Sequence, residues 1–266
     1  MNLRQYRLLR PLDALCRRIN GQADRPPIDL RRYVGPLPGF ERTGGEFLAY
    51  LKLLAGLRAD SRVLDIGCGC GLMALPLTDC LGARGRYVGM DISRAAIDWC
   101  QKEIAARHPH FSFIHSDIYN PRYNPAGRQR ADAYVFPLED GAFDLILLKS
   151  VLTHMRPPET AHYLAEIARL LGDGGCCLAT FFLLNQAQRR LADEGRCAFD
   201  FRFGDETWRT IDADNPEVAV AYDEPRLLAM IEAAGLALRD TAHYGAWSGR
   251  DDGLSFQDIL LLERAS

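Results

Sequence analysis

The most constraining feature of this chain is an alternation of two patterns that begins near Asp60. Short apolar runs alternate there with segments of helical period, which is typical of βαβ units and a parallel sheet. Seven strands are predicted, over Arg62–Ile66, Tyr87–Asp91, Phe111–His115, Phe143–Lys149, Cys176–Leu183, Ala237–His243 and Gln257–Leu262. Helices are predicted between them, over Gly71–Cys80, Arg94–Ala106, Thr160–Leu171 and Glu224–Ala233. No crossover helix separates the last two strands, so we expect them to be antiparallel.

The chain also carries a predicted cap and a predicted insertion. Residues 1–59 are expected to form an N-terminal helical cap, and residues 60–266 the main domain. In the cap, helices are predicted over Leu3–Ile19 and from about Gly45 to Leu57. The insertion, residues 185–223, is predicted to form a lid or small β-ribbon with an aromatic wall over a bound substrate. Its alternating aromatic residues are Phe199, Phe201, Phe203 and Trp208.

Composition excludes several classes of protein. The 266 residues are 48% hydrophobic with a formal net charge of −3, which indicates a globular domain and argues against general nucleic-acid binding. No stretch approaches the roughly 20 apolar residues of a membrane helix. The 8 cysteines lack the paired spacing of a zinc site. Because no signal-peptide pattern is present, we predict a reduced, cytoplasmic protein. Nothing in the sequence indicates its oligomeric state.

Arginine is concentrated near the start of the chain. Residues 1–40 hold eight arginines against three aspartates. The first predicted helix could lie on an anionic membrane surface or cover a substrate pocket. The alternative is a solvated, arginine-rich helix that packs on the core.

The glycine-rich run Val63–Gly71 predicts a binding loop. An apolar strand leads into glycines at 67, 69 and 71 and then a helix, so backbone N–H groups can approach a polar ligand closely. The Gly-Lys-Ser/Thr of a phosphate-binding P-loop is absent. A dinucleotide loop would carry glycine at position 72, where this chain has Leu72. Asp65, just before the loop, suits a cation better than a pyrophosphate.

Carboxylates follow the next two strands. Asp91 ends strand two, where an acidic side chain can accept both hydroxyls of a ribose. Asp117 and Ile118 follow strand three, where they could bracket an adenine ring. Three successive strand ends therefore predict a site for a nucleoside with an amino-acid tail and no phosphate.

These motifs resemble the class I S-adenosylmethionine-dependent methyltransferases. The resemblance covers about residues 60–184 and rests on the loop, Asp91, Asp117 and the run Phe143–Ile146. It implies an α/β, Rossmann-like, doubly wound seven-stranded sheet of order 3-2-1-4-5-7-6 with strand seven antiparallel. The implied cofactor is S-adenosyl-L-methionine, and its product is S-adenosyl-L-homocysteine.

The resemblance also implies roles for individual residues. Asp65, Cys68 and the loop glycines Gly67, Gly69 and Gly71 would line the methionine part of the cofactor. Asp91 and Ile92 would hold the ribose. Asp117 and Ile118 would contact the adenine, and Ser150 completes the predicted cofactor site.

A narrower similarity is to bacterial methyltransferases of glycans and natural products. They share stretches like Arg31–Gly35, Trp247–Arg250 and Phe256–Asp258. The expected acceptor is a small molecule or a glycan, methylated on oxygen. We expect no nucleic-acid partner and no integral membrane segment in the chain. Candidate acceptor residues are Tyr33, His154, Trp208, Trp247 and Arg250.

Methyl transfer from a sulfonium needs positioning first, and a base only for a poorly acidic hydroxyl. His154 is the predicted base and His243 a second candidate. The alternative is a structural role for His154. No metal is expected, because Lys149 and Ser150 stand where metal-dependent relatives carry carboxylates. Methylation of nitrogen or carbon, a non-catalytic S-adenosylmethionine binder and an NAD-dependent oxidoreductase remain open.

Overall fold

The structure is a computed structural model that describes residues 3–33 and 37–265. Contacts divide the chain into two compact units, with the boundary between Gly127 and Arg128. The strands of the first unit are β1 (Arg62–Ile66), β2 (Arg86–Asp91) and β3 (Phe111–His115). Its described helices are α1 (Leu3–Leu8), α2 (Arg10–Ile19), α3 (Leu37–Leu53), α4 (Ala74–Leu77) and α5 (Arg94–Cys100). A π-helical turn, Gln101–Ala105, continues α5.

The second unit contributes the remaining strands and three longer helices. Its strands are β4 (Phe143–Leu148), β5 (Leu171–Phe181), β6 (Leu183–Leu184), β7 (Phe203–Gly204), β8 (Trp208–Thr210), β9 (Val220–Asp223), β10 (Leu236–Leu238) and β11 (Asp258–Arg264). Its α-helices are α6 (Pro157–Leu170), α7 (Gln186–Asp193) and α8 (Glu224–Ala233). Short 3-10 turns lie at Leu152–His154, Pro216–Val218 and Ala246–Ser248.

The main sheet has seven strands in the order β3-β2-β1-β4-β5-β11-β10. Strands β1, β2 and β3 pair in parallel, as do β4 and β5, whereas β11 is antiparallel to β5 and to β10. The predicted order is confirmed, with β10 and β11 as its sixth and seventh strands. Burial explains the strand pattern, because Val63 and Leu64 point to opposite faces of β1 and neither is exposed.

Several predicted boundaries are wrong, for local reasons. The first predicted helix breaks into α1 and α2 because Pro11 has no backbone N–H to continue it. Helix α3 begins eight residues earlier than predicted, since Gly44 allows it to pack against the carbonyl of Leu72. Helix α4 begins at Ala74 rather than Gly71, whose φ of +83° is not helical.

The insertion after β5 forms a second, four-stranded sheet of order β6-β9-β8-β7. Strands β7 and β8 are the predicted ribbon, with Phe203 opposite Thr210. Phe199 and Phe201 do not form an exposed wall. They pack in a core cluster with Phe182 and Trp247. Phe199 and Phe201 therefore help to build the core of the insertion, whereas Phe203 is 45% exposed. The function of the insertion as a lid stays a prediction, as does the boundary at residue 60.

Among the residues that the structure describes, no helix is long and apolar enough to cross a membrane.

Candidate active site

The loop after β1 adopts backbone angles that explain its three glycines. Gly67, Gly69 and Gly71 have φ values of +80°, +53° and +83°, a region that side chains other than glycine rarely enter. A Cβ at Gly71 would lie 2.7 Å from Ile104, so that glycine also allows close packing. A Cβ at Gly69 would meet nothing within 4 Å. Gly69 therefore faces open space where a ligand can approach the backbone.

Asp91 joins the ends of β1 and β2. Its Oδ2 accepts a hydrogen bond from the backbone N–H of Gly69 at 2.7 Å, and its Oδ1 accepts one from Ser93 at 2.7 Å. Each carboxylate oxygen has a second lone pair for a donor such as a hydroxyl. Burial raises the pKa of Asp91, against the opposing effect of these two N–H donors.

Two thiols fix the other side of the Gly69 peptide. The Sγ atoms of Cys68 and Cys100 lie 3.7 and 3.6 Å from the carbonyl oxygen of Gly69. Burial raises the pKa of both thiols well above the ordinary value, so they remain protonated, weak donors. The Gly69 carbonyl is thus held by the protein, and its N–H by Asp91. Cys68 acts on the loop from within the core.

Asp65 lies beneath the loop and is 2% exposed. The hydroxyl of Tyr87, from β2, donates to its Oδ2 at 2.6 Å. Burial raises the pKa of Tyr87, and the Asp65 charge raises it further. This phenol therefore remains a donor that orients the Asp65 carboxylate.

The predicted adenine residues follow β3 in a tight loop. Ile118 is buried and its carbonyl accepts a hydrogen bond from Asn124 at 2.9 Å. Gly127 lies so close that a Cβ there would be 2.3 Å from the Ile118 carbonyl. Asp117 is half-buried. Across the strand ends, His115 Nε2 contacts the carbonyl oxygen of Ile92 at 3.1 Å. The structure therefore brings Ile92 near the end of β3 and fixes the backbone of Ile118.

Arg31 is a candidate residue of this loop whose role the sequence did not indicate. Its side chain is 1% exposed, with Nε donating to the Pro26 carbonyl and Nη2 to Asp13. Its Nη1 is buried and has no hydrogen-bond partner among the residues that the structure describes. Burial raises the pKa of Cys70, in the glycine loop, to about 12, and the charges of Arg31 and Arg32 act against this rise. A buried donor without an acceptor is costly, which makes Nη1 a candidate for an anionic ligand group.

Ser150, after β4, has an unusual backbone. Its φ is +56°, the one positive value at a described residue other than glycine. The strain is held by two hydrogen bonds, from its N–H to Thr180 Oγ1 and from its Oγ to Gln257 Oε1, each 2.8 Å. Strained residues of this kind often mark functional sites. Thr180 and Gln257 thus hold Ser150 in place, and the sequence did not indicate that role for either of them.

His154 has a defined hydrogen bond to the insertion. Its Nδ1 lies 2.9 Å from the backbone carbonyl of Glu217. A carbonyl only accepts, so Nδ1 carries the proton of the neutral ring and Nε2 its lone pair. This tautomer suits a base. The second candidate, His243, pairs through its backbone with Ile259 and lies 3.3 Å from Asp240.

The other predicted acceptor residues each contact different neighbours. Trp247 is 1% exposed and its indole N–H donates to Asp258 at 2.8 Å, so its described contacts are those of core packing, and its contact with an acceptor stays a prediction. Arg250 lies over the Tyr244 ring at 4.6 Å and pairs with Asp252. Trp208 is half-buried in β8. The side chain of Tyr33 lies outside the described residues.

Comparison with known proteins identifies the domain. Residues 63–175 match the family model of a methyltransferase domain. The chain carries a methyltransferase domain. The matched region runs from β1 into β5. The order of the seven strands is the one that the class I resemblance implies.

The similarities extend to methyltransferases of unrelated acceptors. The chain is 29% identical to the tRNA N(3)-cytidine methyltransferase METTL2 of Gallus gallus over 125 residues, which are 46% of this chain and 30% of that protein. It is 30% identical to the arsenite methyltransferase of Aquipseudomonas alcaligenes over 140 residues, which are 51% of this chain and 36% of that protein. The chain thus spans about a third of the length of these relatives.

A solved structure shows the same fold. It is the 1,6-didemethyltoxoflavin-N1-methyltransferase of Burkholderia thailandensis, with bound 1,6-didemethyltoxoflavin and S-adenosylhomocysteine. The TM-score is 0.52 and the sequence identity 15%, and the match covers 100% of this chain and 92% of that one.

The methyltransferase domain has no obvious metal centre. Within residues 3–33 and 37–265, no group of three or more His, Cys, Asp or Glu side chains is placed to hold a metal ion.

Proposed function

We propose that this chain transfers the methyl group of S-adenosylmethionine to a hydroxyl of a small-molecule or glycan-type acceptor. The observation that carries the cofactor proposal is the hydrogen bond between Gly69 and Asp91, beside open space at Gly69. It places a carboxylate for a diol next to a backbone that a ligand can approach. Bound S-adenosylmethionine would supply a methyl group already activated on a sulfonium.

The residues present fit this cofactor. Asp91 can accept from the ribose hydroxyls with the lone pairs that Gly69 and Ser93 leave. Asp65, oriented by Tyr87, offers negative charge on the methionine side. Ile118 offers an apolar surface for the adenine. Ser150 remains a proposed cofactor residue, supported by its strained backbone.

Arg31 extends this site at the carboxylate of the methionine tail. Its buried Nη1 has no hydrogen-bond partner in the described part of the chain, and its charge acts on the Cys70 thiol of the glycine loop, in the same unit. A carboxylate there would satisfy that N–H with a charge-assisted hydrogen bond. Asp13 holds the opposite edge of the guanidinium, so the side chain is already oriented.

His154 supports oxygen as the acceptor atom. With Nδ1 fixed on the Glu217 carbonyl, Nε2 would receive the proton of an acceptor hydroxyl. A nitrogen or carbon acceptor has less need of this base. The oxygen proposal therefore depends on His154, whereas the cofactor proposal does not.

One experiment separates transfer from binding alone. Purified protein is incubated with S-adenosylmethionine and fractionated metabolite and glycan pools, and S-adenosylhomocysteine release is measured with mass spectrometry of the acceptor. We expect release that depends on an acceptor and is lost in Asp91→Ala. Replacement of His154 by Gln should lower release at least about 100-fold while S-adenosylhomocysteine affinity stays within about twofold.

Other results would point to the alternatives. Tight cofactor binding without release in any pool would favour a non-catalytic binder. Unchanged release in His154→Gln, or a methylated nitrogen or carbon, would contradict the proposed oxygen chemistry. Binding of a nicotinamide cofactor in place of S-adenosylmethionine would favour an oxidoreductase.

A further inference from the structure

Helix α2 exposes its apolar side to solvent and turns its charged side toward the protein, the reverse of the usual surface helix. Large apolar side chains of α1 and α2 are exposed: Leu8 by 75%, Leu12 by 60%, Leu15 by 55% and Ile19 by 74%. Spacings of four, three and four residues place them in one stripe along the helix. Leu9, between the two helices, keeps helical angles of φ −81° and ψ −8°, so the stripe continues across the break.

On the opposite side of α2, charged groups form hydrogen bonds that hold the helix against residues 23–31. Asp13 accepts from Arg17 at 2.9 Å, from the backbone N–H of Ile28 at 3.1 Å and from Arg31. Arg17 also donates to the carbonyls of Ala23 and Arg25, at 2.9 and 2.6 Å. These contacts orient the helix, so the apolar stripe faces outward as a consequence of the fold. A helix that only needed solvation would expose its charges instead.

The charge around the stripe is of one sign. Arg7 and Arg18 are exposed, Arg10 is exposed but pairs with the buried Asp29 at 2.6 Å, and Asp13 is the one acidic residue of α1 and α2. The Asp13 side chain is 9% exposed and already paired. An outward apolar stripe beside exposed arginines complements a surface that is apolar and anionic. A second copy of this helix would bring arginines against arginines.

We propose that α1 and α2 dock this protein on the surface of an anionic lipid bilayer. The leucine and isoleucine side chains enter the boundary between headgroups and acyl chains. Arg7 and Arg18 extend beside them to the lipid phosphates. The helix lies in the plane of the surface and does not cross the bilayer. This proposal stands independently of the methyl-transfer reaction.

Vesicle co-sedimentation tests the proposal on the full chain. The probes are vesicles of phosphatidylcholine alone and vesicles with a quarter phosphatidylglycerol. We expect binding to the anionic vesicles that is at least about tenfold stronger than to the neutral ones, and that weakens in about 0.5 M NaCl. The double variant Leu12→Gln/Leu15→Gln should lose at least about tenfold in partitioning. Arg7→Gln/Arg18→Gln should lose binding to the anionic vesicles.

Leu53→Gln is the matched control. Leu53 is 81% exposed in α3 of the same unit but lies outside the stripe, so its replacement should leave binding unchanged. Because all the replaced side chains are exposed, circular dichroism melts should coincide with that of the wild type. An environment-sensitive fluorophore on Cys16, which is exposed on α2, gives a second readout. Its emission should shift to shorter wavelength with anionic vesicles, and Cys16→Ser supplies the labelling background.

Three results would overturn the proposal. One is wild-type protein that stays in the supernatant with anionic vesicles. Another is a Leu12→Gln/Leu15→Gln variant that binds as well as the wild type. The third is a dimer of the wild type in sedimentation velocity that this variant abolishes, because a second copy would then cover the stripe.

Discussion

The backbone N–H of Gly69 donates to Asp91 Oδ2 across 2.7 Å, which ties the glycine loop after β1 to the end of β2. One carboxylate thereby shapes the loop. The two thiols on the Gly69 carbonyl complete the support. The proposed binding site and the loop geometry thus depend on the same few atoms.

Gly69→Ala should separate backbone strain from loss of the ligand space. The left-handed φ of +53° costs alanine about 1–2 kcal/mol, and the new methyl group enters the space open at Gly69. Gly56→Ala is the matched control, with a φ of +72° and no neighbour within 4 Å. Both variants should melt at similar temperatures, but only Gly69→Ala should weaken S-adenosylhomocysteine binding, by at least about tenfold. Equal affinity in the two variants would remove this role of Gly69.

Arg31→Met should reduce the preference for a ligand that carries a carboxylate. Wild-type protein is expected to bind S-adenosylmethionine about 10- to 100-fold more tightly than decarboxylated S-adenosylmethionine, as measured by calorimetry. The variant should bind both ligands alike. Arg25→Met, which removes a partly exposed arginine already paired with Glu41, should keep the preference. A preference that persists in Arg31→Met would contradict the assignment, even if overall stability falls.

Asp258 should make folding stability depend on pH. It is fully buried and accepts from Leu183, Gly245 and Trp247, yet burial raises its pKa from 3.8 to about 7. Between about pH 4 and pH 7 the folded state binds a proton that the unfolded state releases, so Asp258 contributes less stability as pH rises. The difference in unfolding free energy between wild type and Asp258→Asn should fall by up to about 4 kcal/mol over that range and be level above it. A difference that is independent of pH, measured by urea unfolding, would contradict this.

The His154 tautomer can be checked without knowing the acceptor. Long-range 1H–15N correlation spectra distinguish the two neutral forms of each of the six histidines, and His154→Asn identifies the relevant signals. We expect the proton on Nδ1, opposite the Glu217 carbonyl. A proton on Nε2 would mean that His154 cannot accept one there.

The parallel strands could be predicted because their burial on both faces requires runs of apolar residues, which are visible in the sequence. Strands β1 and β3 have the predicted bounds, since each is a short, mostly apolar run that is followed directly by a loop. Helix α3 was harder, because Pro38, Gly39, Gly44 and Gly45 lower its intrinsic helix propensity while tertiary packing stabilises it.

The candidate site residues also divide into those that the sequence could predict and those that it could not. Gly69 and Asp91 belong to a local pattern of strand, loop and strand end. Arg31 and Gln257 depend on contacts between distant segments, and no periodicity signals an unpartnered nitrogen or a bond to a strained serine. The motifs around Trp247 and Asp258 were visible in the sequence, but only the structure joins the indole N–H to the buried carboxylate.

Calorimetric titration of S-adenosylhomocysteine into the purified chain tests the central claim most directly. The account predicts one site of micromolar affinity, a loss of at least about 100-fold in Asp91→Ala, and a change within about twofold in Asp98→Asn, an exposed aspartate of α5. A wild-type chain that gives no binding heat, or an Asp91→Ala variant with wild-type affinity, would contradict it.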